Sequence, residues 1–558
     1  MNVLGITHPV SLNSAACLIQ DGKITSINEE ERFNRVKHAW QAYGSGSQAG
    51  AGWAIGMFPQ NAVKECLKVG KIEPSEVDVV AVGWNPETEL QRQSDRAGYL
   101  KPHTDLIFSG LSELGIPKDR IRFYNHHISH LASSFFCSGF AFGNLLSLDG
   151  AGDDCAGWVG FSEGAFSNHQ DINTHQSTDA FSEMIEVDYS WGAMWEDITE
   201  MLGFQRHSAE GKTMGLAPYG KYDLDVFPEL FRKNGSPDLY KYYCFWAEKG
   251  WLREAGKQIE PLSDTGKNVA YMLQYHYNNY LAKKAEQMVK HNGCKNFSLS
   301  GGCALNCSGN GHLARLDFVD DIFVQPASGD NGTAIGAAIL GCREHGGNFE
   351  NNFDHAYWGS EFSQDEIKEE LDKQGLIYSE HYHGPSSLVA ELLTQDKVVC
   401  NFQGRAEIGP RALGNRSILA NPCGKETLDK VNKIKGREPW RPLAPSILEE
   451  DYFDVVESKI HSPYMLMACQ VKEDYKEKIP AVVHVDGSCR PQTVYKKTNP
   501  IFHDIILEFK KRTGIPLVLN TSFNLSYEPM VNSPYDAIRT FMESDADALC
   551  IGNFIVEK

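Results

Sequence analysis

Residues 143–166 read GNLLSLDGAGDDCAGWVGFSEGAF. An apolar run ends on Asp149. Gly150, Gly152, Asp153 and Asp154 then form a polar loop, and CAGWVGF leads through a turn to a further strand. The N-terminus follows the same plan. VLGI at 3–6 reads as a strand, SAACLIQ as a second, and DGKI as a third across a tight turn at Asp21-Gly22. Two such units about 145 residues apart predict a duplicated α/β fold with a cleft between its halves.

Just ahead of the second unit stands HHISHLASSFF, residues 126–136. Asn125 is a good helix N-cap. Ile128, Leu131, Ala132 and Phe135 recur at helical spacing, which predicts an amphipathic helix. His126 and His130 are one turn apart on it, away from the centre of the apolar stripe, while His127 sits closer and can meet Leu131. Two such imidazoles suit a divalent metal; a pair of surface or core-bonded histidines is the plainer alternative. Asp149, at a strand end before glycines, suits metal or phosphate chemistry, with an ordinary acidic turn as its alternative. Asp330 lies in SGDNGTAIGAAIL at 328–340, a glycine-flanked loop before a small-residue helix. It is a natural fourth ligand, or simply an N-cap. A two-His, two-Asp set suits Fe(II), Mn(II) or Zn(II) better than Mg(II) or Ca(II).

The 558 residues predict two to four domains. With 42% hydrophobic and 23% charged residues the balance is globular. A net charge of -20 argues against nucleic acid or an anionic membrane as the main partner, and leaves room for a local basic pocket. The 14 cysteines show no CxxC spacing and read as buried thiols. MNVLGITHPV lacks the features of a signal peptide, and no apolar run is long enough to span a bilayer, so a cytoplasmic location is expected.

The acidic run NEEERFNRVKH at 28–38 reads as a solvated loop, or as one wall of a polar cleft. The stretch from 40 to 120 is mostly helical in pattern, with a strand in VDVVAVGW at 77–84. FSLSGGCALNCSGNG at 297–311 predicts a strand, a Gly301-Gly302 turn and a helix start, matching neither GxGxxG nor a Walker A loop. The glycine-rich, polar run at 344–359 marks a domain boundary, giving 1–353 and 354–558. Beyond it Arg405, Arg411 and Arg416, then Lys435, Arg437 and Arg441, then Arg490, stand in loops rich in glycine and proline. Arginine so placed suits phosphate or carboxylate, although scattered surface arginines would look similar. LNTSFN at 519–524 ends a strand in small polar groups, and ALCIGNFIVEK closes the chain as a last strand.

DGKITSINEEERFNRVKH, NHHISHLASSFF, LSLDGAGD, EGKTMGLAPYG, LSGGCALNCSGN, SGDNGTAIGAA, EIGPRALGNRSILANP, IKGREPWRPLAPSIL, HVDGSCRPQTV and LNTSFN together resemble, in order, the motifs of the nodulation-protein-U and cephem carbamoyltransferase family. The O-carbamoyltransferase of tobramycin belongs to it. The resemblance implies a duplicated actin-like ATPase (ribonuclease-H-like) domain over 1–353 and a YrdC-like α/β domain over 354–558. It implies that the second domain makes carbamoyl adenylate from carbamoyl phosphate and ATP, with Mg(II). The first, with Fe(II), would pass the carbamoyl group to a hydroxyl of a small natural product.

Carried over by position, the metal ligands would be His126, His130, Asp149 and Asp330. Lys37, Lys435, Arg441 and Arg490 would be catalytic. Arg411, Arg416 and Ser522 would grip phosphate or adenylate. Gly150, Glu210, Gly301, Gly302 and Asn306 would line the nucleotide site of the first domain. One departure stands out: Leu12 and Asn13 occupy the place where the family usually has a His-Asp pair, and His8 is nearby in a different register. The general base is therefore open. A homodimer is allowed. A tRNA threonylcarbamoyl-type transferase and a nucleotide-binding module without turnover are the rival functions, and the acidic net charge weighs against the first.

Overall fold

The computed structural model describes residues 1–41, 55–86, 97–152, 155–162, 183–186, 190–232, 237–252 and 258–558. Asp153, Asp154 and the run 163–166 lie outside the described residues. The chain divides into two compact units, Met1–Glu30 with His38–Phe353, and Glu31–Lys37 with Asp354–Lys558. Among the described residues no helix is long and apolar enough to cross a membrane.

The first unit holds two five-stranded sheets. The first contains β1 (Asn2–Ile6), β2 (Ala15–Gln20), β3 (Lys23–Glu29), β4 (Val79–Val82) and β5 (Ile121–Phe123). The second contains β6 (Gly143–Gly152), β7 (Cys155–Ser162), β8 (Glu183–Glu186), β9 (Asn296–Ser300) and β10 (Asp321–Val324). Their orders are β3-β2-β1-β4-β5 and β8-β7-β6-β9-β10, the same plan twice. In each, the first strand pairs antiparallel with the second and parallel with the fourth. This is the duplication expected of an actin-like ATPase domain. Asp21 and Gly22 both have positive φ (47° and 83°), as a two-residue hairpin turn of the favoured hand requires.

Two helices fill the space between the sheets. Helix α1 (His126–Ser138) packs on β6 and β9, and α4 (Asn331–Glu344) packs on β1, β2 and β4. Two further helices, α2 (Trp191–Met201) and the long α3 (Asp264–Asn292), belong to the second half. The helices α1 and α4 also pack directly on each other. Their approach is close enough that a Cβ on Gly336 would stand 1.7 Å from the Ser129 carbonyl oxygen. For this reason α1 lacks the solvent-facing polar side that its amphipathic spacing allows. Asn125 does cap it, accepting from Ile128 N at 3.0 Å, but only Phe136 and Ser138 escape full burial. Its polar face meets a second protein layer rather than water.

The run 28–38 also departs from the solvated-loop expectation. Glu29, Glu30 and Arg32 are buried. Glu30 accepts from Asn61 N and Ala62 N, both at 2.9 Å, and so caps the helix Gln60–Gly70. Residues Glu31–Lys37 then group with the second unit. There Arg32 donates to Gly409 O at 2.8 Å, and Arg35 donates to Met530 O (2.6 Å) and Pro529 O (2.9 Å) and pairs with Glu528 at 3.2 Å.

The second unit is built on an eight-stranded mixed sheet. In chain order its strands are β11 (Ser379–Glu380), β12 (Val399–Phe402), β13 (Arg416–Ala420), β14 (Ala444–Leu448), β15 (Gln492–Val494), β16 (Leu517–Ser522), β17 (Ala548–Ile551) and β18 (Phe554–Glu557). The sheet order is β11-β18-β17-β12-β13-β16-β14-β15. Helices α5 (Lys425–Ile434) and α6 (Pro500–Thr513) contribute Val431, Ile434, Phe502, Ile505, Ile506 and Phe509 to one continuous core. ALCIGNFIVEK, expected as one strand, is an antiparallel hairpin, because Gly552 (φ 55°) turns the chain between β17 and β18.

Candidate functional site

In the first unit, His126, His130, Asp149 and Asp330 converge so that one donor atom from each lies within 4.8 Å of all the others. His126 and His130 direct Nε2 at one another, 3.2 Å apart. Asp149 Oδ2 lies 3.5 and 3.1 Å from these nitrogens, and Asp330 Oδ1 3.7 and 3.8 Å. Each carboxylate is anchored through its other oxygen. Asp149 Oδ1 accepts from Gly150 N at 2.7 Å, and Asp330 Oδ2 accepts from Leu12 N at 2.8 Å. Asp330 precedes α4 but makes no side-chain cap, so the plain N-cap reading fails. His126 Nδ1 faces Gly83 O at 3.3 Å, which turns the Nε2 lone pair toward the centre. His130 Nδ1 is buried with no hydrogen-bond partner among the described residues.

Burial is the largest influence on both imidazoles and lowers the His126 pKa. At His130 the bonds and charges of Asp149 and Asp330 together outweigh burial and raise it to about 9. Asp149, despite burial, is held well below the usual carboxylate range by His126 and His130. The donor set fits a divalent metal: tetrahedral bonds of about 2.1 Å put ligand atoms roughly 3.4 Å apart, within the spread seen here. His127 stands outside the set, with Nδ1 on Ser147 Oγ at 3.2 Å rather than toward Leu131. A Cβ on Gly152 would stand 2.1 Å from His126 Cδ2, so this position at the end of β6 needs glycine.

Several expected nucleotide contacts gather beside Asp149. A Cβ on Gly302 would stand 3.0 Å from Asp149 Oδ1, and one on Gly150 3.0 Å from Glu196 Oε1. Gly301 opens the turn that leads into Gly302–Leu305. Glu210 accepts from His207 N at 2.7 Å, and burial lifts its pKa to about 7. Asn306 has a structural duty instead: its side chain accepts from Gly309 N at 2.8 Å and exchanges hydrogen bonds with Gln274.

In the second unit, Lys435, at the end of α5, is buried. Its ammonium donates to Ser522 O, Ser522 Oγ, Asn524 O and Asn524 Oδ1 at 2.5–3.0 Å. Burial, then Arg437, Arg441 and Lys37, press its pKa down, while the four oxygens favour the ammonium. Arg437 is pressed down by burial and by Arg441 and Arg490. Its Nε is held by Asn432 Oδ1 at 2.7 Å, whereas Nη2, like Nε of Arg490, is buried with no hydrogen-bond partner among the described residues. Glu438 pairs with Arg441 at 3.9 Å. Five cations so close together repel one another unless a multiply charged anion joins them.

Arg416, expected in the phosphate grip, is placed otherwise. It is fully buried, donates to the carbonyls of Gln403, Gly404, Asn415 and Ser360, and stacks 3.7 Å over Phe402. It braces the loop that carries Arg411. Buried Glu407 does the same from the other side, with Oε1 accepting from Leu413 N, Asn415 N and Arg416 N at 2.7–3.1 Å. Arg437 stood among the loop cations suited to phosphate without an assigned role, and Glu407 was not expected at all; nothing local marks it.

The carbamoyltransferase N-terminus family model matches residues 99–339, and the carbamoyltransferase C-terminus model matches residues 390–558. Nodulation protein NolNO of Sinorhizobium fredii is 33% identical over 580 residues, spanning 100% of this chain and 80% of that protein. Nodulation protein NolO of Bradyrhizobium diazoefficiens is 35% identical over 450 residues, 78% of this chain and 79% of that one. Among solved structures, T. kodakarensis HypF aligns with a TM-score of 0.37 at 16% identity, over 62% of this chain and 48% of HypF. On the two family models and these relatives, the chain belongs to the carbamoyltransferase family.

Proposed function

We propose that this carbamoyltransferase works in two steps: ATP-dependent formation of carbamoyl adenylate from carbamoyl phosphate in the second unit, and O-carbamoylation of a small hydroxylated natural product in the first. The observation that carries the reading is the gathering of Lys435, Arg437, Arg441 and Arg490 with Lys37, cations close enough to press down one another's pKa. Carbamoyl phosphate and ATP with Mg(II) are anions of the required kind. Bidentate arginines would orient them, and the buried Lys435 would contribute a fixed point charge. Burial strengthens both effects and keeps water from the labile carbamoyl group.

The first unit supplies a chemically different site. His126, His130, Asp149 and Asp330 would hold a divalent metal, for which Fe(II) is the family expectation. Such an ion polarises a phosphoryl oxygen and improves the leaving group. At Gly150 and Gly302 no side chain stands between the backbone and a nucleotide phosphate beside it.

The test is to incubate the full chain with ATP and carbamoyl phosphate and follow pyrophosphate, then add a panel of alcohols and look for carbamoyl mass gain. Pyrophosphate release that depends on carbamoyl phosphate, with a carbamoylated alcohol, is expected. Release that ignores carbamoyl phosphate would refute the first step. Carbamoylation of tRNA but of no small alcohol would refute the second.

A further inference from the structure

The segment Glu31–Lys37 is fastened within the second unit by an arginine with an unusual backbone. After the one-turn helix Glu31–Asn34, Arg35 (φ 59°) reverses the chain in the left-handed region. A residue with a β-carbon stays there only where its surroundings hold it. Here the guanidinium is the anchor. Its Nη1 donates to Met530 O at 2.6 Å, and its Nη2 donates to Pro529 O at 2.9 Å and to Glu528 Oε2 at 3.2 Å. Nε lies 3.5 Å from Asp536 Oδ1. Glu528 is buried and also accepts from Arg539 Nη2, from Thr540 Oγ1 at 2.7 Å and from Leu525 N at 3.2 Å. Stability alone is a weak reason to bury such a charge pair.

The loop that Arg35 grips is also the loop that holds Lys435. Asn524 Nδ2 donates to Glu528 O at 2.6 Å, while Asn524 O and Oδ1 accept from the Lys435 ammonium at 2.6 and 2.5 Å. Ser522 completes the cradle. Its Oγ donates to Asn524 Oδ1 at 2.7 Å, and its O and Oγ accept from Lys435 at 2.5 and 3.0 Å. A continuous run of bonds thus leads from Arg35 through Glu528 and Asn524 to the ammonium of Lys435.

We propose that Arg35 is a positioning residue of the adenylate-forming step, seating the Lys435 ammonium through Glu528 and Asn524. The proposal rests on the reading of the second unit given above. Arg35 touches no substrate in this scheme. It fixes the loop, the loop fixes the ammonium, and the ammonium meets the carbamoyl phosphate anion as a point charge at a set place.

The test uses the full-length enzyme. Arg35→Ala keeps the β-carbon, so its backbone is no more strained than in the wild type. Arg35→Lys keeps the charge and loses the planar fork that reaches several acceptors at once. A misplaced group costs about 10²-fold in rate per ångström, so Arg35→Ala is expected to lower carbamoyl-phosphate-dependent pyrophosphate release about 10²-fold, and Arg35→Lys about tenfold. In a Lys435→Ala background the further loss from Arg35→Ala should be less than about threefold, because the group it seats is gone. A second readout follows Lys435 itself. An amine-reactive reagent, with labelled peptides counted by mass spectrometry, should modify Lys435 about tenfold faster in Arg35→Ala than in the wild type as its cradle opens. Lys510, which Asp451 holds at 2.8 Å, should label at an unchanged rate. Faster labelling of both lysines would mean general loosening and overturn the assignment. So would near-wild-type release in Arg35→Ala, or an undiminished loss in the Lys435→Ala background. If the wild type releases no pyrophosphate in response to carbamoyl phosphate, the reading of the second unit falls and takes this role of Arg35 with it.

Discussion

Asp330→Asn is the most direct test of the four-residue site. The substitution is nearly isosteric, and the structure dictates how the amide must sit. Leu12 N–H can only donate, so the amide oxygen must take the place of Oδ2. The NH₂ group then falls where Oδ1 now stands, 3.7 and 3.8 Å from the two imidazole nitrogens. It has no lone pair for a metal. One of four donors and one negative charge are lost together. Removing only an outer partner of a metal ligand lowers affinity about 10–100-fold. Removing the ligand should therefore lower it at least about 100-fold, or about 2.8 kcal/mol. Metal content after dialysis against limiting Fe(II), read by elemental analysis, is the primary assay. Thermal unfolding with and without metal is the second, since an ion at 100 times its dissociation constant stabilises the wild type by about 2.7 kcal/mol. Pyrophosphate release should continue in the variant. Undiminished metal content in Asp330→Asn would rule Asp330 out as an important ligand.

Glu407→Ala would leave three buried N–H groups unsatisfied, at about 1–3 kcal/mol each, and should destabilise the second unit by at least about 3 kcal/mol in urea and abolish pyrophosphate release. Glu407→Gln keeps an acceptor oxygen and should lose less. Gly336→Ala forces α1 and α4 apart against Ser129 O and is expected to lower stability by about 3 kcal/mol, seen in thermal unfolding. His276 is buried against Phe227 and Phe231, and burial holds its pKa down to about 4 from 6.5. The unfolded chain takes up that proton first as pH falls, so its contribution is intact above pH 6.5 and lost toward pH 4, up to about 3 kcal/mol. His276→Phe should flatten the acid side of the stability profile; an unchanged profile would exclude His276 as its source.

The local grammar of the chain carried a great deal. Alternating and apolar runs at 3–6, 15–29 and 143–149 marked the strands, and their recurrence marked the duplication, because a strand's periodicity is set by its own residues. The i, i+4 spacing of His126 and His130 put two imidazoles on one face by helix geometry alone. What the tertiary structure decided depended on partners distant in sequence. Whether Asp330 caps α4 or faces the histidines turned on Leu12 N–H, 318 positions away. Arg411 and Arg416 look alike in GPRALGNR, yet Arg416 is buried among carbonyls from residues 360, 403 and 404, which no local pattern reveals. Helix α1 reads as amphipathic because polar residues alternate with its apolar stripe. Its burial on both faces follows only from α4 packing against it, and that contact needs a glycine at 336, some 200 residues downstream.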